Sequence, residues 1–179
     1  MEAIKTNIKD AYIIQNQKFD DDRGFFIESF NLKKIENVIK TGEFVQDNHS
    51  KSIKGVLRGL HYQIEHPQGK LVRCLSGSVY DVIVDLRKSS YSYGKWFGIE
   101  LSSPNVQVWA PAGVAHGFYT LSETADVFYK VTDYYHPEHD RTLIWNDPNI
   151  QIEWPISDNV ILSEKDKLGK SFITCEKYE

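Results

Sequence analysis

The chain has 179 residues, 41% of them hydrophobic and 26% charged, and a formal net charge of −4. That length suits one domain with a sizeable core, or at most one domain with appendages. The acidic balance gives no reason to expect nucleic acid or an anionic membrane as partner, and no window has the apolar length needed to span a bilayer.

Ala11-Tyr12-Ile13-Ile14 reads as a strand, Asp20-Asp21-Asp22-Arg23-Gly24 as a turn, and Phe25 to Phe30 as extended chain. Asn31 is placed to cap a helix through Lys40, with Leu32, Ile35, Val38 and Ile39 on its apolar side and Gly42 as its stop. From residue 43 the rhythm is β. Phe44-Val45-Gln46 leads to the polar group Asp47-Asn48-His49-Ser50, and then to Gly55-Val56-Leu57-Arg58-Gly59-Leu60-His61-Tyr62-Gln63. As a strand, this last stretch would put Arg58, Leu60 and Tyr62 on one face and Gly59, His61 and Gln63 on the other, with Gly59 leaving room for a ligand beside His61.

A turn at His66-Pro67-Gln68-Gly69 precedes Lys70 to Leu75, and Val79 to Leu86 is the clearest strand. Its alternation separates Tyr80, Val82, Val84 and Leu86 from Val79, Asp81, Ile83 and Asp85, so Asp81 among apolar neighbours asks for a partner. Trp96–Leu101, Val106–Trp109, Val114–Tyr119 and Ala125–Thr132 continue the series. Many short strands with Gly, Pro and Ser turns, and almost no helix, mean a β-sandwich or barrel. The tail from Asp133 is irregular, but its tryptophans and prolines predict a segment packed over the barrel. Ser163 there is placed to cap a short helix with Asp166 at the third position. Nothing marks a linker, so one domain is expected over 1–179. Without a signal-peptide core at Met1 to Asn7, Cys74 and Cys175 read as reduced thiols of a cytoplasmic protein.

His61, Asp81, His116 and Tyr129 stand where a core would prefer hydrocarbon. An imidazole beside a carboxylate is a general base, a phenol across a bound substrate is the matching acid, and Lys70 after its turn is placed to stabilise an enolate oxygen. Each has a plainer reading: His116 as a satisfied core histidine, Tyr129 as a packed aromatic, Asp166 as a cap or solvated charge. Arg23 and Arg58, with Gln46 and Asn48, suit an anion site built from side chains. A catalytic divalent ion in such a barrel is commonly held by histidines at i and i+2 with a carboxylate and a third histidine. Position 63 is glutamine, so that pair is absent and no metal is expected. His136 and His139, in a polar loop, read as surface residues.

The segments Asp22-Arg23-Gly24-Phe25-Phe26-Ile27-Glu28-Ser29, Val56 to Gln63, Gln68-Gly69-Lys70-Leu71-Val72-Arg73, Pro111-Ala112-Gly113-Val114-Ala115-His116-Gly117-Phe118, Trp145-Asn146-Asp147 and Leu162-Ser163-Glu164-Lys165-Asp166 stand in one order. Together with Phe44 to Asn48 and Tyr129-Lys130, they resemble the dTDP-4-dehydrorhamnose 3,5-epimerase family from about Phe19 to Asp166. The resemblance implies a mainly β, cupin-type jelly-roll barrel with a few short helices. It also implies epimerisation at C3 and C5 of dTDP-4-dehydro-6-deoxy-D-glucose without cofactor, the substrate's own carbonyl being the electron sink. His61 would be the general base, Asp166 its orienting carboxylate, Tyr129 the general acid and Lys70 the group near the C4 oxygen, with His116 and Asp81 as a supporting pair. Arg23, Glu28, Gln46, Asn48, Arg58 and Lys165 would contact the nucleotide sugar, and Phe19 and Tyr134 would flank the thymine. A homodimer is implied, residues 1–30 helping to complete the neighbouring site, so that Arg23 and Glu28 serve in trans. The alternatives are a single-centre epimerase or ketoisomerase on a related sugar, and a non-catalytic sugar-nucleotide binder.

Overall fold

A computed structural model describes residues 1–156 and 159–179. Thirteen strands among these residues form two large antiparallel sheets and one hairpin. The first sheet has the order β1 (Glu2–Lys5), β2 (Tyr12–Gln15), β10 (Val106–Ala110), β7 (Lys70–Ser76), β12 (Thr124–Val131) and β5 (Gln46–Ile53). The second runs β13 (Asp140–Thr142), β6 (Leu57–Gln63), β11 (Val114–Thr120), β8 (Val79–Asp85) and β9 (Trp96–Leu101). The strands β3 (Lys18–Asp21) and β4 (Gly24–Ile27) pair only with each other. This is the mainly β jelly-roll architecture that the strand rhythm and the resemblance predicted.

Three apolar clusters hold the layers. Val72, Val79, Ile83, Val108, Phe118 and Val127 fill one core. Leu60, Tyr62, Val82, Val84 and Leu86 form a second, joined by Leu143, Ile150, Trp154, Phe172 and Tyr178 of the tail. The expected alternation of β8 is therefore observed, with its even-numbered residues under the tail. Ile14, Leu71 and Trp109 meet Ile35 and Ile39 in the third cluster.

Asn31 does cap the helix, accepting from the Lys34 amide, but α1 spans only Leu32–Glu36. Ile35 and Ile39 are buried whereas Leu32 and Val38 are exposed, so the apolar stripe is too narrow to carry the helix to Lys40. Asp47 to Ser50, the polar group after Phe44-Val45-Gln46, lies inside β5. Its polar residues follow from the polar cavity it faces, described below.

The strand β6 departs further from expectation. Pairing with β11 passes from His116 opposite His61 to Phe118 opposite Arg58, three residues on β6 against two on β11. The extra residue is a bulge, and it changes the phase of alternation by one. Arg58 thereby comes to the same cavity as His61, while Leu60 keeps to the outer core and Tyr62, packed in that core, also borders the cavity. The room at Gly59 is also taken: a Cβ there would lie 2.7 Å from the Gly117 Cα and 2.8 Å from the His116 carbonyl oxygen. This glycine admits the neighbouring strand and not a ligand.

Asp85 ends β8 fully buried, accepting from Arg87 Nε at 2.8 Å and from the hydroxyls of Ser90 and Ser92, each at 2.6 Å. Burial pushes its pKa upward, but the Arg87, Ser90 and Ser92 hydrogen bonds prevail and hold it below the usual value. Asp85→Asn removes the buried carboxylate opposite Arg87, leaving Arg87 with Asp10 at 3.7 Å as its remaining anion, and is expected to cost about 3 kcal/mol in denaturant unfolding. Because the folded pKa is depressed, the carboxylate's contribution is complete above the unfolded value of about 4 and disappears as pH falls through the folded one. A loss below about 1 kcal/mol near neutral pH, typical of a surface pair, would remove Asp85 from this role.

Candidate active site

A cavity of about 250 Å³ opens between the sheets where the hydrocarbon core ends. From the second sheet it is lined by Arg58, His61 and His116, and from the first by Gln46, Asn48, Ser50, Lys70 and Tyr129. The β5 members fall at i, i+2 and i+4, the period that turns alternate side chains inward.

His61 Nε2 lies 2.5 Å from Asp166 Oδ1 across 105 positions of chain. Asp166 is held by the helix α2 (Glu164–Lys167), whose cap Ser163 accepts from the Asp166 amide and donates to its Oδ2 at 2.7 Å. Burial works to raise the Asp166 pKa, but the hydrogen bond and charge of His61, with Ser163 and the Gly59 backbone, bring the net result below the usual value. An ionised carboxylate on Nε2 keeps the proton on that nitrogen and leaves the lone pair on Nδ1. Desolvation lowers the His61 pKa, Asp166 opposes this, and Lys165 and Lys70 reinforce it. The net direction is down, so the imidazole is neutral at pH 7. Its side chain remains 32% exposed and open to a ligand.

His116 sits directly opposite His61 in the sheet. Its Nε2 is 2.7 Å from Asp81 Oδ2, which supplies the partner that the buried Asp81 requires. The Asp81 Oδ1 is buried without a hydrogen bond. Lys70 reaches across from the first sheet, donating to the His61 carbonyl at 3.0 Å. Burial pushes its pKa down to about 8, Asp140 raising it and Lys165 lowering it. Burial likewise raises the Tyr129 pKa, against Arg58, so the phenol is protonated at neutral pH. Arg58 lines the cavity and donates to the Ser52 hydroxyl at 3.0 Å and to the Lys51 carbonyl at 3.3 Å.

Four residues expected at the site lie elsewhere in this chain. Phe19 is exposed on the β3–β4 hairpin, and Arg23 beside it pairs with Asp21 at 2.5 Å. Glu28 accepts from Lys34 at 2.7 Å and Asn31 at 2.5 Å. Tyr134 is exposed outside the cavity, and its neighbour Tyr135 lines it instead. Lys165 does line the cavity, paired with Asp140, which also accepts from the Tyr135 hydroxyl at 2.8 Å. Sequence reading missed Tyr135 and Asp140. A three-residue strand, β13, carries Asp140 to its place opposite Gln63, and so short a strand leaves no periodic signal. The Tyr62 hydroxyl, which needed a partner, donates to the Glu176 carbonyl at 2.7 Å.

An imidazole fixed by a carboxylate, a buried lysine and a protonated phenol around one polar cavity are groups suited to moving protons, on a jelly-roll fold. A model of the dTDP-4-dehydrorhamnose 3,5-epimerase family matches residues 5–173. The chain belongs to that family of isomerases. It is 52% identical over 178 residues to the dTDP-4-dehydrorhamnose 3,5-epimerase of Pseudomonas aeruginosa, covering 98% of each chain. With the Escherichia coli K12 enzyme of the same name it shares 52% over 170 residues, 93% of this chain and 92% of that one. The crystal structure of dTDP-6-deoxy-D-glucose-3,5-epimerase from Legionella pneumophila in complex with dTDP-4-keto-L-rhamnose superposes with a TM-score of 0.95. The two are 48% identical, and the match covers 98% of this chain and 94% of that one.

Proposed function

We propose that the protein inverts C3 and C5 of dTDP-4-dehydro-6-deoxy-D-glucose to give dTDP-4-dehydro-L-rhamnose, on the path to dTDP-L-rhamnose. The observation that carries this reading is the neutral His61, fixed by Asp166, on the wall of a cavity shared with Lys70 and Tyr129. The C4 ketone acidifies the protons on C3 and C5. His61 takes one through Nδ1, and the enolate oxygen is stabilised by the Lys70 ammonium. Tyr129, on the opposite sheet, returns a proton to the other face of the ring at C5, which inverts that centre. The carbonyl carries the electron pair, so no cofactor takes part.

Gln46, Asn48, Arg58 and Lys165 are the protomer's own contacts to the nucleotide sugar. At about 250 Å³ the cavity is smaller than pockets that enclose a drug-sized ligand, roughly 300–1,000 Å³. It suits the sugar ring, and the nucleotide must extend outward. Phe19, Arg23 and Glu28 stand away from the cavity of their own chain, which supports a homodimer in which residues 1–30 complete the neighbour's site. We assign the whole chain to one catalytic domain working in the cytoplasm. No helix among the described residues is long and apolar enough to cross a membrane.

The test is proton NMR of the substrate with the protein in D2O, with and without the partner reductase and NADPH. Deuterium at both C3 and C5, and dTDP-L-rhamnose once reductase is present, is the expected result. Exchange at C3 alone would reassign the protein as a single-centre epimerase. No exchange would leave a sugar-nucleotide binder.

The charge balance at Lys70 makes a separate prediction. Below about 8 the Lys70 ammonium is present, and below the depressed His61 pKa the base is lost. The pH profile of kcat/KM should therefore fall on the acid side below 6.5 and on the alkaline side near 8. Asp140 raises the Lys70 pKa and Lys165 lowers it. Asp140→Asn should move the alkaline limb to lower pH, and Lys165→Met should move it higher. An alkaline limb that both variants leave in place would belong to another group.

A further inference from the structure

Beside the mouth of the cavity, the turn after β6 and the loop after β12 bring three imidazoles together. His66 and His136 stack with ring centroids 4.2 Å apart, and the His139 ring lies 5.6 Å from His66 and 6.1 Å from His136. His66 Nδ1 is 3.5 Å from Asp133 Oδ2, and the ligand atoms of His66, Asp133 and His136 all lie within 4.8 Å of one another. We propose that His66, Asp133 and His136 form a binding site for a first-row transition-metal ion of the Zn2+ type, separate from the catalytic cavity, with Glu138 and His139 beside it.

Two imidazoles and a carboxylate are the donor set that such ions prefer, and imidazole nitrogen argues against Mg2+ or Ca2+. The surroundings are anionic. Glu138 lies 3.4 Å from His136 Nδ1, and Glu65 lies 3.6 Å from His139 Nε2. The loops that carry the ligands are fixed from beneath by one buried amide. Gln63 Nε2 donates to the His66 carbonyl at 2.7 Å and the Tyr134 carbonyl at 3.1 Å, while its Oε1 accepts from the His136 amide at 2.7 Å. Gln63 therefore holds the two backbones in register and leaves the side chains to adjust.

Adjustment is required. Tetrahedral bonds of about 2.0–2.1 Å place ligand atoms roughly 3.3 Å apart, so one ring must turn out of the stack. The His66 and His136 side chains are 49% and 31% exposed, so His66 is the ring with more freedom to turn. Ligation would then tie together two segments that each contribute to the cavity wall, one through Gln68 and the other through Tyr135.

The test is calorimetric titration of the full-length protein with Zn2+ alone, repeated on His66→Ala, His136→Ala and His61→Asn. One Zn2+ per chain, with at least tenfold weaker binding in the first two variants and unchanged binding in His61→Asn, is the expected outcome. Thermal melts give a second readout: Zn2+ should raise the Tm of the unmodified protein and not that of His66→Ala. Equal affinity in all four proteins, loss confined to His61→Asn, or no binding to the unmodified protein would overturn the assignment. In that case the stacked histidines are an ordinary surface cluster paired with carboxylates.

Discussion

His61→Ala is expected to lower kcat by about 10³–10⁴-fold while leaving the affinity for a dTDP-sugar largely intact. The size of the loss follows from what a positioned base contributes to carbon deprotonation. Binding survives because the other cavity groups, Gln46 and Asn48 on β5, Arg58 three residues back on β6 and Lys165 on α2, make their hydrogen bonds and ion pairs to groups other than the imidazole. Asp166→Asn tests the same assembly by another route. An amide at that position can donate to Nε2, which moves the ring proton to Nδ1 and removes the lone pair the reaction uses. A comparable loss of kcat is therefore expected although the side chain keeps its shape. Steady-state kinetics beside calorimetry with dTDP separates the two quantities. Turnover unchanged in His61→Ala would sink the mechanism. Loss of dTDP affinity in step with loss of kcat would turn His61 from a base into a binding residue.

The parts of this assembly differ in how far the chain announced them. Ser163 with Asp166 three positions on is a local capping signal, and α2 forms there with the expected cap. That signal accounts for where Asp166 sits on its helix and says nothing of a partner 105 positions away. Only the resemblance across ordered segments paired Asp166 with His61. The two faces of Val79 to Leu86 were legible because each faces hydrocarbon, between the sheets or under the tail. The same logic gave no pattern at Asp47 to Ser50, where Asn48 and Ser50 face a polar cavity and hydropathy carries no period. It failed at β6, where a bulge exchanged the face of Arg58. Alternation counts residues along one strand. A bulge is defined by the partner strand, so it is invisible to that count. Tyr135 and Asp140 were beyond reach for a related reason: a three-residue strand paired through tertiary contacts has no period of its own.

Tyr129→Phe is expected to divide the two inversions. In D2O, deuterium should continue to enter at C3 and wash into C5–H positions that reprotonate on the original face, while formation of the L-rhamno product falls by about 10²–10³-fold, within the range of a lost general acid. Tyr129 lies on β12 of the first sheet, bonded in register with Asn48 and Val72, whereas His61 lies on β6 of the second. A ring held between the sheets therefore meets the base on one side and the phenol on the other. Burial keeps the phenol protonated well above neutral pH, so it is loaded before each turnover. Phenylalanine preserves the ring that packs against the core beside Phe118 and near His116, at a centroid separation of 6.3 Å, and removes only the proton. Abstraction by His61 should then proceed almost unchanged, and the enolate should collapse by taking a deuteron back from the same side after the proton on His61 has exchanged with solvent. The measurement is the ratio of solvent exchange to product formation, followed by NMR in one sample. A ratio equal to that of the unmodified protein, with both rates reduced together, would assign Tyr129 to binding the ring and leave the proton at C5 to another donor.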